Sequence, residues 1–264
     1  MTEIFSYREV AEDSLLPTWS ALRVHGLDWR PGWDLPALLD EWETRLTGVD
    51  DPDTAAIVTL PSHETADALP LIRHGFAPLV VIAERRAGHP VPPRRPDVRV
   101  RPATHADLDV AVELNLETIR YDSAFGMVSE RPNSAQHLRT ALAAVLDRPA
   151  ESMWLAVRGD TPVGMVYVDM PEDTLWIERY ATGRPFAYLG HLGVRPDARR
   201  SGAGSALVAH VHAVLDRSGV ASTLLHHALP NPRSTPFWYS HGYRPGWTLW
   251  VRRPALRSFP GVSS

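Results

Sequence analysis

The stretch best equipped for chemistry runs Leu189-Gly190-His191-Leu192-Gly193-Val194-Arg195-Pro196-Asp197-Ala198-Arg199-Arg200-Ser201-Gly202-Ala203-Gly204-Ser205-Ala206-Leu207. An apolar strand leads into a basic, glycine-bearing turn and then a helix, so several backbone N–H groups converge at a helix N-terminus. Such a place binds anions, and a pyrophosphate is its natural occupant. Gly202 and Gly204 let the backbone approach phosphates with no Cβ in the way. Arg199 and Arg200 add charge, and Ser205 adds a hydroxyl. Two other readings compete. A dinucleotide fingerprint needs a third glycine where Leu207 stands and glycines directly at the strand end, whereas residues 195–201 separate Val194 from Gly202. A helix start with a purely structural role is the second.

Two absences narrow the chemistry. All 27 basic residues are arginine, and there is no cysteine. A Walker A loop, a pyridoxal-phosphate Schiff base and a protein-kinase strand each need a lysine, so none is present. Thiol nucleophiles, disulfides, Cys-ligated zinc and iron–sulfur clusters are ruled out likewise. Arginine in place of every lysine, with 24 prolines, reads as GC-rich bacterial coding. The net charge of −4 and the lack of a basic stripe speak against nucleic acid as a partner. The N-terminus has no signal-peptide pattern and no apolar run approaches membrane-spanning length, so the chain reads as soluble and cytoplasmic, with no membrane partner.

Other titratable residues are less pointed. His191 has a side chain suited to proton transfer, but strand alternation sets it opposite Tyr188, Gly190 and Leu192 unless the strand is bulged. His210 and His212 point different ways on a helix, and His226 and His227 fall on opposite faces of a strand. No HExxH pattern or carboxylate–histidine spacing suggests a metal. Glu117, Asp122, Glu130, Asp169 and Glu178 could line an amine pocket, the first three in a loop-rich stretch that also holds Tyr121, Phe125 and Met127.

The elements that must position these groups follow from hydrophobic period and breakers. Four prolines between Pro90 and Pro96 mark a seam. After it, residues 98–101 read as a strand and 106–116 as a helix. Residues 117–134 read as loop, and 135–146 as a second helix. A hairpin spans 153–168, and an irregular excursion covers 171–185 with a short strand at Leu175-Trp176-Ile177. Then come a strand (186–194), a strong helix (203–217), a strand (221–229), a short helix (234–240) and a last strand (247–252). That order is a mixed α/β layout.

The chain also echoes itself. His74-Gly75-Phe76-Ala77-Pro78 precedes an apolar strand ending at Arg85-Arg86. His241-Gly242-Tyr243-Arg244-Pro245, 167 residues on, precedes another ending at Arg252-Arg253. A strand and a proline stand upstream of each. The expected organisation is a truncated unit at 1–87, a proline-rich linker at 88–96, a complete unit at 97–254 and a tail at 255–264. Trp19, Trp29, Trp33 and Trp42 would build the first unit's core or cover the mouth of the site.

Val194 followed by Arg199-x-x-Gly202-x-Gly204, with three strands before it and a long helix, a strand, Asn231 and Pro236-Phe237-Trp238-Tyr239-Ser240-His241-Gly242-Tyr243 after it, resembles the acyl-CoA motif of the GNAT superfamily of N-acyltransferases. The resemblance covers about residues 97–254. It implies a GNAT fold, a mixed central sheet flanked by helices, with residues 1–87 similar to the end of a second, degenerate unit. It further implies acetyl-CoA as co-substrate and the amine of a small molecule as acceptor, joined by direct attack with backbone N–H polarising the carbonyl. The backbone at Leu192, Gly193 and Val194 would pair with the pantetheine arm. The amides of Arg200, Ser201, Gly202, Ala203, Gly204 and Ser205, with Arg199, would hold the pyrophosphate, and Asn231 would touch the pantetheine. The family's usual general-acid tyrosine is replaced by Trp238, whose indole N–H is no acid near neutral pH, so that it packs instead; it is counted with the cofactor-contacting residues. Tyr239 and His191 are left as candidate acid and base. The alternative that Trp238 raises is a non-catalytic acyl-CoA-binding protein.

Overall fold

The computed structural model describes residues 4–46, 51–89 and 98–256, so residues 90–96 of the expected linker and 257–264 of the tail lie outside it. The first part of the chain supplies β1 (Phe5–Glu9), β2 (Arg23–Leu27), α1 (Leu35–Arg45), β3 (Thr54–Pro61), α2 (Ala68–Arg73) and β4 (Ala77–Arg86). The rest supplies β5 (Arg99–Pro102), α3 (Leu108–Ser123), α4 (Ser134–Leu146), β6 (Met153–Arg158), β7 (Thr161–Asp169), β8 (Phe186–Val194), α5 (Ala203–Arg217), β9 (Ser222–Ala228), α6 (Ser234–Ser240) and β10 (Arg244–Arg252). All ten strands form one mixed sheet in the order β1-β2-β3-β10-β4-β9-β8-β7-β6-β5.

Strand alternation sends successive side chains to opposite layers. Met153, Leu155, Val157 and Met165 pack under α3 and α4, while Trp154, Ala156, Val163, Val166 and Val168 pack under α5. A further cluster around Leu35, Leu39, Trp42, Leu60 and Leu71 fills the N-terminal part, with Trp42 stacked between Phe5 and Phe76. The four early tryptophans therefore divide. Trp29 and Trp42 are core, whereas Trp19 is 39% exposed and Trp33 lies under the Arg30 guanidinium.

The 167-residue echo is written into the strand pairing. Trp247↔Pro61 and Arg252↔Ala56 join β10 to β3, and subtracting or adding 167 gives Val80↔Ala228 and Arg85↔Thr223, the pairs that join β4 to β9. Between β4 and β10 the register is self-symmetric about Val81↔Thr248, bulges included. Each segment's last strand thus crosses to pair with the other segment's preceding strand. Arg85 and Arg252, equivalent under the offset, are both buried. Arg85 makes a bidentate pair with Asp216, at 2.9 and 3.1 Å, and Arg252 pairs with Glu43.

Two local readings change. The helix expected over 106–116 continues to Ser123, because Ile119 extends the buried stripe of Val112 and Leu116 by one more turn while its polar neighbours face out. Glu117, Tyr121 and Asp122 are therefore helix residues. The short strand expected at Leu175-Trp176-Ile177 is a 3₁₀ turn, Leu175–Tyr180, in which Ile177 alone is buried.

Candidate active site

The glycine turn folds as its residue types require. Gly202, at φ 92°, stands in the left-handed region as the residue before α5, and Arg200 also has positive φ, at 62°. Among the described residues this path leaves the N–H groups of Arg200, Gly202, Gly204 and Ser205 without an acceptor, while Ala203 N–H reaches Ser201 Oγ at 3.4 Å. A Cβ on Gly204 would come no nearer to its neighbours than ordinary contact, with the Phe237 ring at 3.4 Å and Val194 Cγ2 at 3.6 Å. Unpaired donors at the positive end of a 15-residue helix, with exposed Arg200 beside them, fit an anion such as a pyrophosphate. Arg199 faces elsewhere. It pairs with Glu117 at 2.9 Å, gives Nε to the Val194 carbonyl at 3.3 Å, and lies 5.4 Å from the Tyr121 ring.

Beside this turn the sheet forks. β8 and β9 run parallel for only three pairs, Phe186↔Ser222, Ala187↔Thr223 and Tyr188↔Leu224, and then part. Leu192, Gly193 and Val194 lie on the part of β8 beyond the ladder, with Leu192 and Val194 only half-buried. β8 carries a bulge at the split. Tyr167 faces His191 and Val168 faces Leu189, so Gly190 has no opposite residue. The extra residue brings His191 back onto the face of Tyr188, stacked on the Tyr167 ring at 6.3 Å. A Cβ at Gly190 would run into that ring. His191 is buried with Nε2 unpartnered, and burial pushes its pKa down to about 3.

The remaining candidates are dispersed around the fork. Asn231 is buried and committed: its amide donates to Asp122 at 2.8 Å, and its oxygen accepts from the N–H groups of Arg233 and Ser234 at the start of α6. Burial pushes Asp122 up to about 6 against that hydrogen bond. Trp238 packs into the α5-side core, edge-on to Tyr243. Tyr239 is half-buried, edge-on to His227, with no hydrogen bond to its hydroxyl. Other acids are engaged by arginine: Glu130 by Arg120, Asp169 by Arg148 and Glu178 by Arg184. A groove of about 400 Å³ between α3 and residues 195–197 carries Glu113, Glu117 and Asp197 against Arg195, an acidic balance that disfavours phosphate.

The sequence of residues 117–243 matches the model of the acetyltransferase (GNAT) family. That stretch is a GNAT domain. The fork and the glycine turn both lie within it. The whole chain is similar in fold to a GCN5-related N-acetyltransferase from Sphaerobacter thermophilus, with a TM-score of 0.64 at 15% identity over 99% of this chain and 79% of that one. It is also similar to a functionally unknown conserved protein from Staphylococcus epidermidis, with a TM-score of 0.57 at 13% identity over 97% and 96% of the two chains. A GCN5-related N-acetyltransferase from Kribbella flavida aligns with a TM-score of 0.52 at 14% identity over 89% and 82%. At such identities the likeness is one of fold. No curated protein matches the chain. Among the described residues no helix is long and apolar enough to cross a membrane, and no cluster of metal-ligating side chains occurs.

One group of the GNAT domain was not singled out from sequence: Tyr188 and His226, joined across the fork, with Trp176 upon them. The parity of a parallel ladder could have found the pair, since Tyr188 shares a face with Leu224 and hence with His226.

Proposed function

We propose that the protein transfers an acyl group, acetyl in the first instance, from acyl-CoA to the amine of a small molecule by direct attack within a ternary complex. The observation that carries this reading is the set of unpaired N–H groups at the start of α5, opening beside a sheet split between β8 and β9. Arg200 and the amides of Gly202, Gly204 and Ser205 would bind the pyrophosphate. The free stretch of β8 at Leu192–Val194 would pair with the pantetheine, and the Val194 carbonyl also receives Arg199 Nε. The co-substrate supplies an activated thioester carbonyl, whose oxygen backbone N–H at the β8 bulge would polarise.

Isothermal calorimetry with acetyl-CoA tests this. The wild type should bind, and Gly202→Asp should not, because the new residue is strained at positive φ and sets a carboxylate among the phosphate donors. Equal binding by both, or by neither, overturns the reading. A second reading, a non-catalytic acyl-CoA-binding protein, draws on the burial of Trp238 where relatives of the family carry a tyrosine acid. Thiol release with any amine acceptor rejects it.

A further inference from the structure

What stands at the fork, on the face covered by α3 and α4, is aromatic. Tyr188 Oη and His226 Nδ1 lie 2.9 Å apart, joining β8 to β9 at the last rung of their ladder. Trp176 sets its ring edge-on to Tyr188, with centroids 4.9 Å apart, and parallel to His226 at 6.2 Å, yet it stays 60% exposed. Leu175 beside it is 73% exposed. The carboxylates that the sheet and the turn set on this face are committed. Asp169 pairs with Arg148, Glu84 accepts from the N–H groups of Thr182 and Gly183, and Glu178 pairs with Arg184. The wall that the sheet and the turn build is therefore made of π faces and neutral hydrogen-bonding groups, and Asp122 of α3 is likewise engaged, by the Asn231 amide at 2.8 Å. A polycation would leave its extra ammonium groups without counter-charges there. A single amine on a flat apolar body would instead gain ring contact and cation–π attraction on entry.

We propose that this face of the fork is the acceptor site, that it takes an arylalkyl primary amine, and that His226 accepts the proton the amine sheds. With the ring proton on Nδ1 donated to Tyr188 Oη, Nε2 carries the free lone pair. The entering ammonium first gives up one proton to solvent; the lone pair of the resulting neutral amine forms the C–N bond to the acyl carbon, the C–S bond breaks, and one remaining N–H proton passes to Nε2. CoA leaves as thiolate, and the imidazolium returns the proton to it by way of solvent. Burial, with His227 adjacent, holds His226 down to about 4, so the ring is neutral at pH 7 and takes the proton only as C–N bond formation acidifies the attacking nitrogen. Trp176 is the aromatic wall that sets specificity, and Tyr188 is a positioning residue.

This inference rests on the acyl-transfer reading, so its test separates the two. Thiol release is followed with tryptamine and with spermidine as probe acceptors, alongside calorimetry with acetyl-CoA, for the wild type, His226→Gln and Trp176→Ala. Tryptamine should be turned over and spermidine should not. His226→Gln should lower kcat about 100-fold with little change in KM. Trp176→Ala should raise the KM for tryptamine about tenfold and spare kcat. Acetyl-CoA affinity should match wild type in both variants, which also reports that they fold. With acetyl-CoA bound, turnover of spermidine, failure to turn over tryptamine, or an undiminished kcat in His226→Gln overturns the inference and leaves acyl transfer standing. Failure of the wild type to bind acetyl-CoA overturns the acyl-transfer reading itself.

Discussion

Individual side chains here are tuned more by burial than by charge. His25, His191, His212, His226, His227 and His241 are all pushed below the usual histidine value, led by burial in every case. An unfolded chain protonates these groups below about pH 6.5, whereas the folded chain resists until about 3 to 4 at the deepest of them, so each costs stability as pH falls through that window. Asp67, Asp122 and Asp169 are pushed up and act in the opposite sense, but they are fewer. Asp53 and Asp107, held at about 2 chiefly by Arg131 and Arg101, keep their stabilising effect above the usual carboxylate range and lose it as pH falls toward 2. Urea midpoints should therefore change little from about pH 8 to 6.5 and then fall steadily toward about pH 4, ahead of the carboxylate losses. A midpoint that holds level across that lower window contradicts this account. The glycine turn was legible at this scale because its function needs particular residue types. The partnership of Tyr188 with His226 was not, since the two are distant in sequence and meet only through pairing register.

At the scale of elements, the two halves of the sheet treat the same arrangement differently. β2 and β3, parallel like β8 and β9, stay paired over five positions from Arg23↔Thr54 to Leu27↔Val58, against three at the fork. The helix α1 is capped by the Asp34 carboxylate, which accepts from Ala37 N–H at 3.2 Å, whereas α5 starts at a glycine with free amides. A closed ladder leaves no room for a pantetheine, and an acidic cap repels phosphate. Calorimetry should accordingly give one acetyl-CoA per chain; a stoichiometry of two would sink this contrast. Strong periodicity made β8, α5 and α6 readable in sequence. The end of α3 was misread because its last turn mixes a single buried residue, Ile119, with Glu117, Tyr121 and Asp122. The 3₁₀ turn at Leu175–Tyr180 mimicked a strand for want of any longer pattern.

The whole molecule is organised by the exchange of β4 and β10. Neither the first part nor the rest of the chain completes its share of the sheet alone, since β10 lies between β3 and β4 while β4 lies between β10 and β9. Buried Arg85 and Arg252 reinforce this, tied to carboxylates on helices α5 and α1. Scanning calorimetry should thus record a single transition with equal van't Hoff and calorimetric enthalpies, and two resolved transitions would refute the coupling. Sequence revealed the echo but not the exchange, because a repeat fixes which strands correspond and leaves open which of them pair. The symmetric register about Val81 and Thr248 is the geometry that two identical subunits would use to meet. Here both partners belong to one polypeptide, so the encounter is intramolecular and its effective concentration is set by the tether. Dilution that would dissociate a dimer built on the same strands leaves this sheet, and the fork within it, assembled.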